Sequence, residues 1–277
     1  VSRRIRLDAE LVRRGLARSR EQAAALIAAG RVTVDGARAA KPATQITTDQ
    51  AVVVRDAEKD PGYASRGAYK LLGALEAFEP HGLSVAGRRC LDAGASTGGF
   101  TDVLLRRGVS EVVAVDVGYG QLVWALQQDP RVSVHDRTNV RELELETIGG
   151  PVDLVVSDLS FISLTLVMPA LARVCDAAGD MVLMVKPQFE VGKDRVGKKG
   201  VVRDPELHVE AVLGVCRAAE QVGWGTRAVA ASPLPGPTGN VEYFGWFRQD
   251  APAVAEDAVR TAVAEGPLGS PSGREHQ

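Results

Sequence analysis

Four charged residues, far apart along the chain, stand in or at the end of apolar runs. Lys70 lies in RGAYKLL, Asp158 ends VDLVVSD, Lys186 ends DMVLMVK and Glu242 lies in NVEYFGW. Singly, each has an ordinary reading: a lysine at a strand end is usually a surface charge, and a glutamate after a turn usually a cap. Gathered at one point, two ammonium groups and two carboxylates could stabilise charge on an oxygen and move protons. An ammonium beside such an oxygen stabilises developing alkoxide charge, and the same lysine, deprotonated, is a general base. The residue types leave both roles open.

A second feature is the stretch LDAGASTGGF, residues 91–100, where a glycine turn follows an apolar run and opens a helix-like segment. It lacks the GK[ST] ending of a phosphate-gripping loop and the full GxGxxG dinucleotide fingerprint. Asp92 stands just before the turn, and Asp116 ends the next apolar run, 22 residues after Gly94. An acid at that distance holds ribose hydroxyls. This suits NAD or the nucleoside of S-adenosylmethionine. Without a pyrophosphate grip, and with acids flanking the turn, the second is favoured, because Asp92 suits an ammonium and a sulfonium better than phosphates. The candidate donor site is then Asp92, Gly94, Ser96, Gly98 and Phe100, with Asp116 on the ribose. Asn139, in DRTN, is the candidate for the adenine edge, against an equal reading as a turn or helix cap.

These residues need a scaffold, and the pattern from residue 88 onward supplies one. Strand-like runs at 88–93, 111–117, 131–136, 152–158 and 180–186 alternate with helix-like runs at 99–107, 119–128, 141–147 and 164–175. The strands are rich in Val and Leu without strict alternation, which indicates a sheet covered on both faces. A longer helix is expected near 204–222, an antiparallel hairpin from strands at 226–231 and 241–247, and a last helix at 252–264. The expectation is a doubly wound α/β domain with a mostly parallel sheet, whose ligands sit beyond the carboxyl ends of the strands.

The first 60 residues read differently. Leu7, Leu11, Val12 and Leu16 fall at helical spacing, and Ser19 is an N-cap candidate for a second helix carrying Ala23, Leu26 and Ile27. RVTVDG then reads as a strand entering a tight turn at Asp35-Gly36, with a further strand at 51–55. Residues 1–66 hold 13 Lys and Arg against 8 Asp and Glu, whereas the remainder holds 20 against 27. Arg3, Arg4, Arg6, Arg13, Arg14, Arg18, Arg20 and Arg31 lie on or beside the two helices. A solvated helix face explains such a cluster about as well as a phosphate-binding patch does.

Composition narrows the rest. The formal net charge of −2 gives no global nucleic-acid signal. Cys90, Cys175 and Cys216 are odd in number and widely spaced, which points to buried thiols in a reducing cytoplasm rather than disulfides or zinc. The histidines, at 81, 135, 208 and 276, have no metal-ligand spacing. The basic N-terminus lacks the apolar core of a secretory signal, and no apolar run is long enough to cross a bilayer. Domains are expected at 1–60 and 67–265, joined by a linker at 61–66 and followed by a Gly/Pro/Ser-rich disordered tail at 266–277.

Several motifs carry a resemblance. SREQAAALIAAGRVTVDG, residues 19–36, resembles the RNA-binding domain first seen in ribosomal protein S-four. RGAYKL, LDAGASTGGFT, SDLSFISL, VKPQFEVGK and SPLPGPTGNVEYF together resemble the TlyA (haemolysin A-like) family, in which that module precedes an FtsJ-type methyltransferase domain. The resemblance covers residues 3–250. It implies a Rossmann-like class I fold with a seven-stranded sheet, S-adenosylmethionine as cofactor and the tetrad Lys70, Asp158, Lys186 and Glu242 as catalytic residues. It also implies a cytidine 2′-hydroxyl of ribosomal RNA as acceptor and the ribosomal subunits, 30S and 50S, as partners. Arg4, Arg6, Arg14, Arg18 and Arg20 are the implied RNA contacts. Arg3, Arg4 and Arg6, with the segment 251–265, match the longer members that modify both 16S and 23S RNA. Lys186 is expected nearest the hydroxyl, with Asp158 orienting it and Lys70 and Glu242 steering the ribose. Two other readings compete: a pore-forming haemolysin, which lacks a strongly amphipathic cationic helix here, and a non-catalytic ribosome-assembly factor, which leaves the tetrad unexplained.

Overall fold

A computed structural model describes residues 4–48, 50–54, 62–197 and 200–266. The expectations placed on Arg3, on residues 55–61 and on the tail beyond 266 therefore concern residues outside that description. The chain divides into two units, residues 1–62 and 63–277.

The first unit comprises β1 (Arg4–Arg6), α1 (Leu7–Arg13), α2 (Arg20–Ala28), β2 (Val32–Val34), β3 (Ala37–Arg38), β4 (Gln45–Thr47) and β5 (Val52–Val54). Leu7, Leu11, Ala23, Ile27, Val32 and Ile46 form its small core. Ser19 caps α2 by accepting from the Gln22 N–H at 3.1 Å. Asp35 and Gly36 both take positive φ, 49° and 82°, the backbone that a two-residue hairpin between β2 and β3 requires. Leu16 does not join the core. Helix α1 stops at Arg13 and the chain turns at Gly15, which leaves Leu16 37% exposed while Ala17 is buried. The β1–β4 pair was not legible from the sequence, because three-residue strands carry too little alternation to stand out.

The second unit comprises α3 (Gly67–Phe78), β6 (Arg89–Ala93), α4 (Gly99–Arg106), β7 (Glu111–Val115), α5 (Trp124–Gln127), β8 (Val132–His135), α6 (Leu145–Ile148), β9 (Val152–Ser157), α7 (Leu164–Val174), β10 (Cys175–Val185), α8 (Pro187–Glu190), α9 (Pro205–Gln221), β11 (Gly225–Ala231), β12 (Tyr243–Arg248) and α10 (Glu256–Glu265). Its seven-stranded sheet has the order β11-β12-β10-β9-β6-β7-β8. Strands β10, β9, β6, β7 and β8 are parallel, and β12 joins β10 antiparallel. Successive side chains of a strand point to opposite faces. Leu91, Val155, Met181 and Leu183 therefore enter one core, with Val167, Met168, Val212 and Val259. Cys90, Leu154, Val182 and Met184 enter the other, with Leu71, Phe78, Phe100 and Val103. Both faces are covered, which is why these strands read as unbroken apolar runs. All three cysteines are buried, and burial pushes the Cys216 thiol up to about 11 and Cys90 up to about 12.

Three expectations change in detail. The helix expected over 119–128 is only Trp124–Gln127, since Gly118 and Gly120 interrupt its start and Gly120 has φ 63°. The helix expected at 141–147 is a 3-10 turn, Val140–Glu142, followed by the short α6. The linker expected through residue 66 ends earlier. The Tyr63 ring lies 4.3 Å beneath the Arg106 guanidinium, and the Ala64 N–H donates to Asp102 at 2.8 Å, which fastens this segment to α4.

Candidate active site

The chain leaves β6 toward β7 on one side, and β9 pairs with β6 on the other. Such a reversal opens a crevice at the carboxyl ends of the strands. Asp158 follows β9 and Lys186 follows β10. Glu242 immediately precedes β12, whose antiparallel run brings its start to the same edge: Tyr243 pairs with Val185. Lys70 comes from the first turns of α3.

The four groups converge. Lys186 Nζ lies 2.6 Å from Asp158 Oδ1. Lys70 Nζ lies 4.0 Å from Asp158 Oδ2 and 2.5 Å from Glu242 Oε2. The result is a row of alternating charge, Lys186–Asp158–Lys70–Glu242, whose two cations and two anions cancel. That cancellation permits burial, which for an unpaired charge is prohibitive. Lys70 is 8% exposed, Lys186 7% and Glu242 1%. Lys186 also donates to Ser160 Oγ at 2.9 Å, a partner the sequence reading missed. An ammonium has three N–H donors; Ser160 takes one, and the contact with Asp158 Oδ1 is an ion pair rather than an aligned hydrogen bond, so among the described residues donors remain for an incoming oxygen. Glu242 Oε1 is buried and has no hydrogen-bond partner among the described residues.

Beside this row lies a cavity of about 380 Å³, whose wall includes Gly94, Ser96, Asp116, Gln121, Asn139 and residues 158–162. Asp158 belongs to both the row and the wall. Gly94 has φ 88°, and a Cβ there would lie 2.9 Å from the Asp158 carbonyl oxygen. Only glycine allows the two loops to approach so closely. The Ser96 N–H donates to Asp116 Oδ2 at 2.8 Å, and the Gly118 N–H to Oδ1 at 2.7 Å, so Asp116 ties the turn after β6 to the loop after β7. Asn139 accepts from the Arg141 N–H at 3.1 Å, capping the 3-10 turn, and lines the cavity as well. A second tie comes from Glu190, which accepts from Ser163 Oγ at 2.5 Å and from the Leu164 N–H at 2.8 Å. It fastens the segment after Lys186 to the start of α7, and burial pushes its carboxyl up against the pull of those two bonds.

Three residues expected on the cavity wall are placed elsewhere. Asp92 is fully buried between sheet and helix and accepts from Thr101 Oγ1 at 2.7 Å, so it does not face a cationic ligand. Gly98 is the left-handed N-cap of α4, where a Cβ would come within 2.3 Å of Leu126. Phe100 points into the core, its ring centroid 6.1 Å from that of Phe244. All three sit in the glycine motif, but a turn entering a helix sends only part of its side chains toward the crevice. Leu159, Ser160, Phe161 and Ile162 were overlooked. Their signal was their place, between the end of a strand and the next helix.

In the first unit, Arg4, Arg6, Arg18 and Arg20 are exposed, with Arg18 donating to the Gly62 carbonyl at 2.6 Å. Arg14 departs from the expected set. Its Nε donates to Glu10, and its Nη1 and Nη2 donate to the Gln50 and Thr48 carbonyls at 2.9 and 3.0 Å. It braces the unit from within because its fork reaches back across the fold.

Residues 63–249 match the FtsJ-like methyltransferase family, and residues 5–52 match the S4 domain. The 16S/23S rRNA (cytidine-2'-O)-methyltransferase TlyA of Mycobacterium tuberculosis is 59% identical over 273 residues, covering 96% of this chain and 100% of the relative. Hemolysin A of Brachyspira hyodysenteriae is 36% identical over 245 residues, covering 88% and 99%. A solved Streptococcus thermophilus structure that carries the hemolysin name has a TM-score of 0.74 at 36% identity and covers 96% of each chain. With a matched catalytic fold, a matched RNA-binding module ahead of it and near full-length similarity to TlyA, the chain belongs to the FtsJ-like methyltransferases, in the TlyA group.

Proposed function

We propose that this chain transfers a methyl group from S-adenosylmethionine to the 2′-hydroxyl of cytidine in 16S and 23S ribosomal RNA, working on the ribosomal subunits in the cytoplasm. The observation that carries this reading is the row of Lys186, Asp158, Lys70 and Glu242, buried except for the half-buried Asp158, beside a cavity that shares Asp158. Membership in the family supports the chemistry, and the name of the M. tuberculosis relative supports the acceptor.

The residues present fit the donor. The wall offers two carboxylates, Asp116 and Asp158, and a glycine turn with room for close backbone approach. Asp116 keeps a lone pair on each oxygen beyond its two backbone bonds, which suits ribose hydroxyls. Asn139 stands for the adenine edge, and Asp158 gives a cationic centre a favourable wall. When bound, the donor supplies an electrophilic methyl group on a positively charged sulfur. The chain's own residues must bring the acceptor oxygen into line with it, and such positioning alone supplies roughly 7–11 kcal/mol in ideal cases. Lys186, already donating to Ser160 and paired with Asp158, presents a remaining N–H to the oxygen and stabilises the charge that develops there. As the new O–C bond forms and the S–C bond breaks, the hydroxyl proton has to leave, and the Lys186–Asp158 pair beside the oxygen is placed to take it and pass it to solvent. Lys70 and Glu242 hold Asp158 from the far side and balance the charge of the row.

The test is incubation of the full chain with isotope-labelled donor and isolated 30S and 50S subunits, followed by mapping of ribose methylation. Label on cytidine in both subunits is the expected result. Label in one subunit would narrow the acceptor, and label in neither would overturn the transferase reading.

A further inference from the structure

The first unit buries two carboxylates directly beneath its exposed arginines. Asp8 is 4% exposed and Glu10 not at all. Arg6 grips Asp8 with two parallel bonds, Nε to Oδ1 at 3.1 Å and Nη2 to Oδ2 at 2.8 Å, and Arg20 Nη2 joins the same carboxylate at 3.0 Å. Arg13 grips Glu10 in the same way, with both bonds at 2.6 Å, and Arg14 Nε adds a third at 2.7 Å. The side chains of Arg6, Arg13 and Arg20 nonetheless remain 44%, 58% and 59% exposed.

Resting on the RNA substrate proposed above, we infer that Asp8 and Glu10 are positioning residues for RNA binding, which hold Arg6, Arg13 and Arg20 as oriented phosphate donors. A guanidinium has five N–H donors. Among the described residues, Arg6 and Arg13 each use two on their carboxylate and keep three, and Arg20 uses one and keeps four. Their planes are fixed before any ligand arrives, so binding loses less side-chain entropy. Stability alone does not call for this arrangement, since well-packed apolar residues in place of buried ion pairs are often as stabilising or more so. Raw attraction to a polyanion does not call for it either. Each acid subtracts a charge from the surface that meets the phosphates. What the acids add is direction. Hydrogen bonding from Arg6 holds the Asp8 carboxyl well below the usual carboxylate range, and Arg13 holds Glu10 down at about 2, so both stay charged at any pH at which RNA is bound.

The two accounts predict opposite signs. Equilibrium binding of the full chain to isolated ribosomal subunits is measured against salt for the wild type, Asp8→Asn and Arg6→Lys. If the acids orient donors, Asp8→Asn weakens binding about tenfold although it raises the net charge by one, and the salt dependence becomes shallower. Arg6→Lys keeps the charge, loses the two-bond grip on a surface position and weakens binding several-fold. The KM for subunits rises in both variants while kcat holds. If Asp8→Asn binds as tightly as the wild type or more tightly, the inference is overturned. If Asp8→Asn unfolds the unit, as circular dichroism would report, the Arg6→Lys arm decides by the same criterion. Failure of the wild type to bind subunits would remove the RNA reading itself, which the variants do not touch.

Discussion

Lys186 carries the sharpest single-residue consequence. Removing an oriented oxyanion donor typically costs about 10²–10³ in rate. Lys186→Ala is expected to lose at least that much methyl transfer while donor affinity, measured by calorimetry, stays within about twofold. Full turnover by this variant would remove Lys186 from the mechanism. Ser160→Ala, which frees one Lys186 donor, is expected to cost roughly tenfold in kcat, consistent with the ~1.5–3 kcal/mol attached to a hydrogen bond with a charged group. Asp92 offers a test by pH. Burial first, and then the nearby Asp158 and Asp116 charges, push its carboxyl up to about 7 against the opposing bond from Thr101, whereas the unfolded chain titrates near 3.8. Between those values the unfolded state has released a proton that the folded state retains, so stability falls by ~1.4 kcal/mol per pH unit and levels off above pH 7. Subtracting the Asp92→Asn denaturation curve from that of the wild type should expose this slope between pH 4 and 7, and a flat difference would refute it. The convergence of Lys70, Asp158, Lys186 and Glu242 was legible in the sequence because the motifs that carry them are distinctive. Asp92 was misread because its residue type suggests a ligand contact, while its direction out of β6 depends on the pleat of the strand.

Loops set the spacing of the site, and two glycines show how tightly. A Cβ at Gly94 would meet backbone, the Asp158 carbonyl oxygen at 2.9 Å, and φ there is 88°. Gly94→Ala must therefore move the loop after β9, and it is expected to weaken donor binding at least tenfold. Gly236 is a different case. Its Cβ would lie 2.5 Å from Glu242 Oε1, the oxygen without a hydrogen-bond partner among the described residues in a carboxylate whose other oxygen, Oε2, is paired with Lys70. Gly236→Ala should leave donor affinity unchanged and lower kcat by about tenfold, and equal losses in both would place its effect elsewhere. Periodicity found the long elements well, since β6, β7, β9 and β10 are apolar on both faces and α9 runs for 17 residues. It failed between Gly118 and Gln128, where the loop that follows Asp116 needs glycines and polar groups rather than an apolar stripe. It also missed the tie from Glu190 to Ser163, because nothing in VKPQFE shows which distant helix start its carboxylate will reach.

The two units keep separate cores, which gives the molecule a modular character. Residues 63–277 alone are expected to fold and to bind the donor with affinity near that of the full chain, but to lose methylation of intact subunits by at least 10²-fold. Retention of full activity would show that the first unit contributes nothing to acceptor capture. Charge asymmetry and the SREQAAALIAAGRVTVDG pattern made this division readable from the sequence. The buried acids beneath the arginines were not readable, since RLDAE looks like any solvated first turn until Asp8 and Glu10 are seen facing inward. Asp158 stands on the wall of the cavity proposed for the donor and in the lysine row at once. A bisubstrate inhibitor, with a nucleoside arm in the cavity and a ribose mimic reaching the row, would engage that one carboxylate from both directions. Resistance by substitution there would disable the enzyme along with the drug.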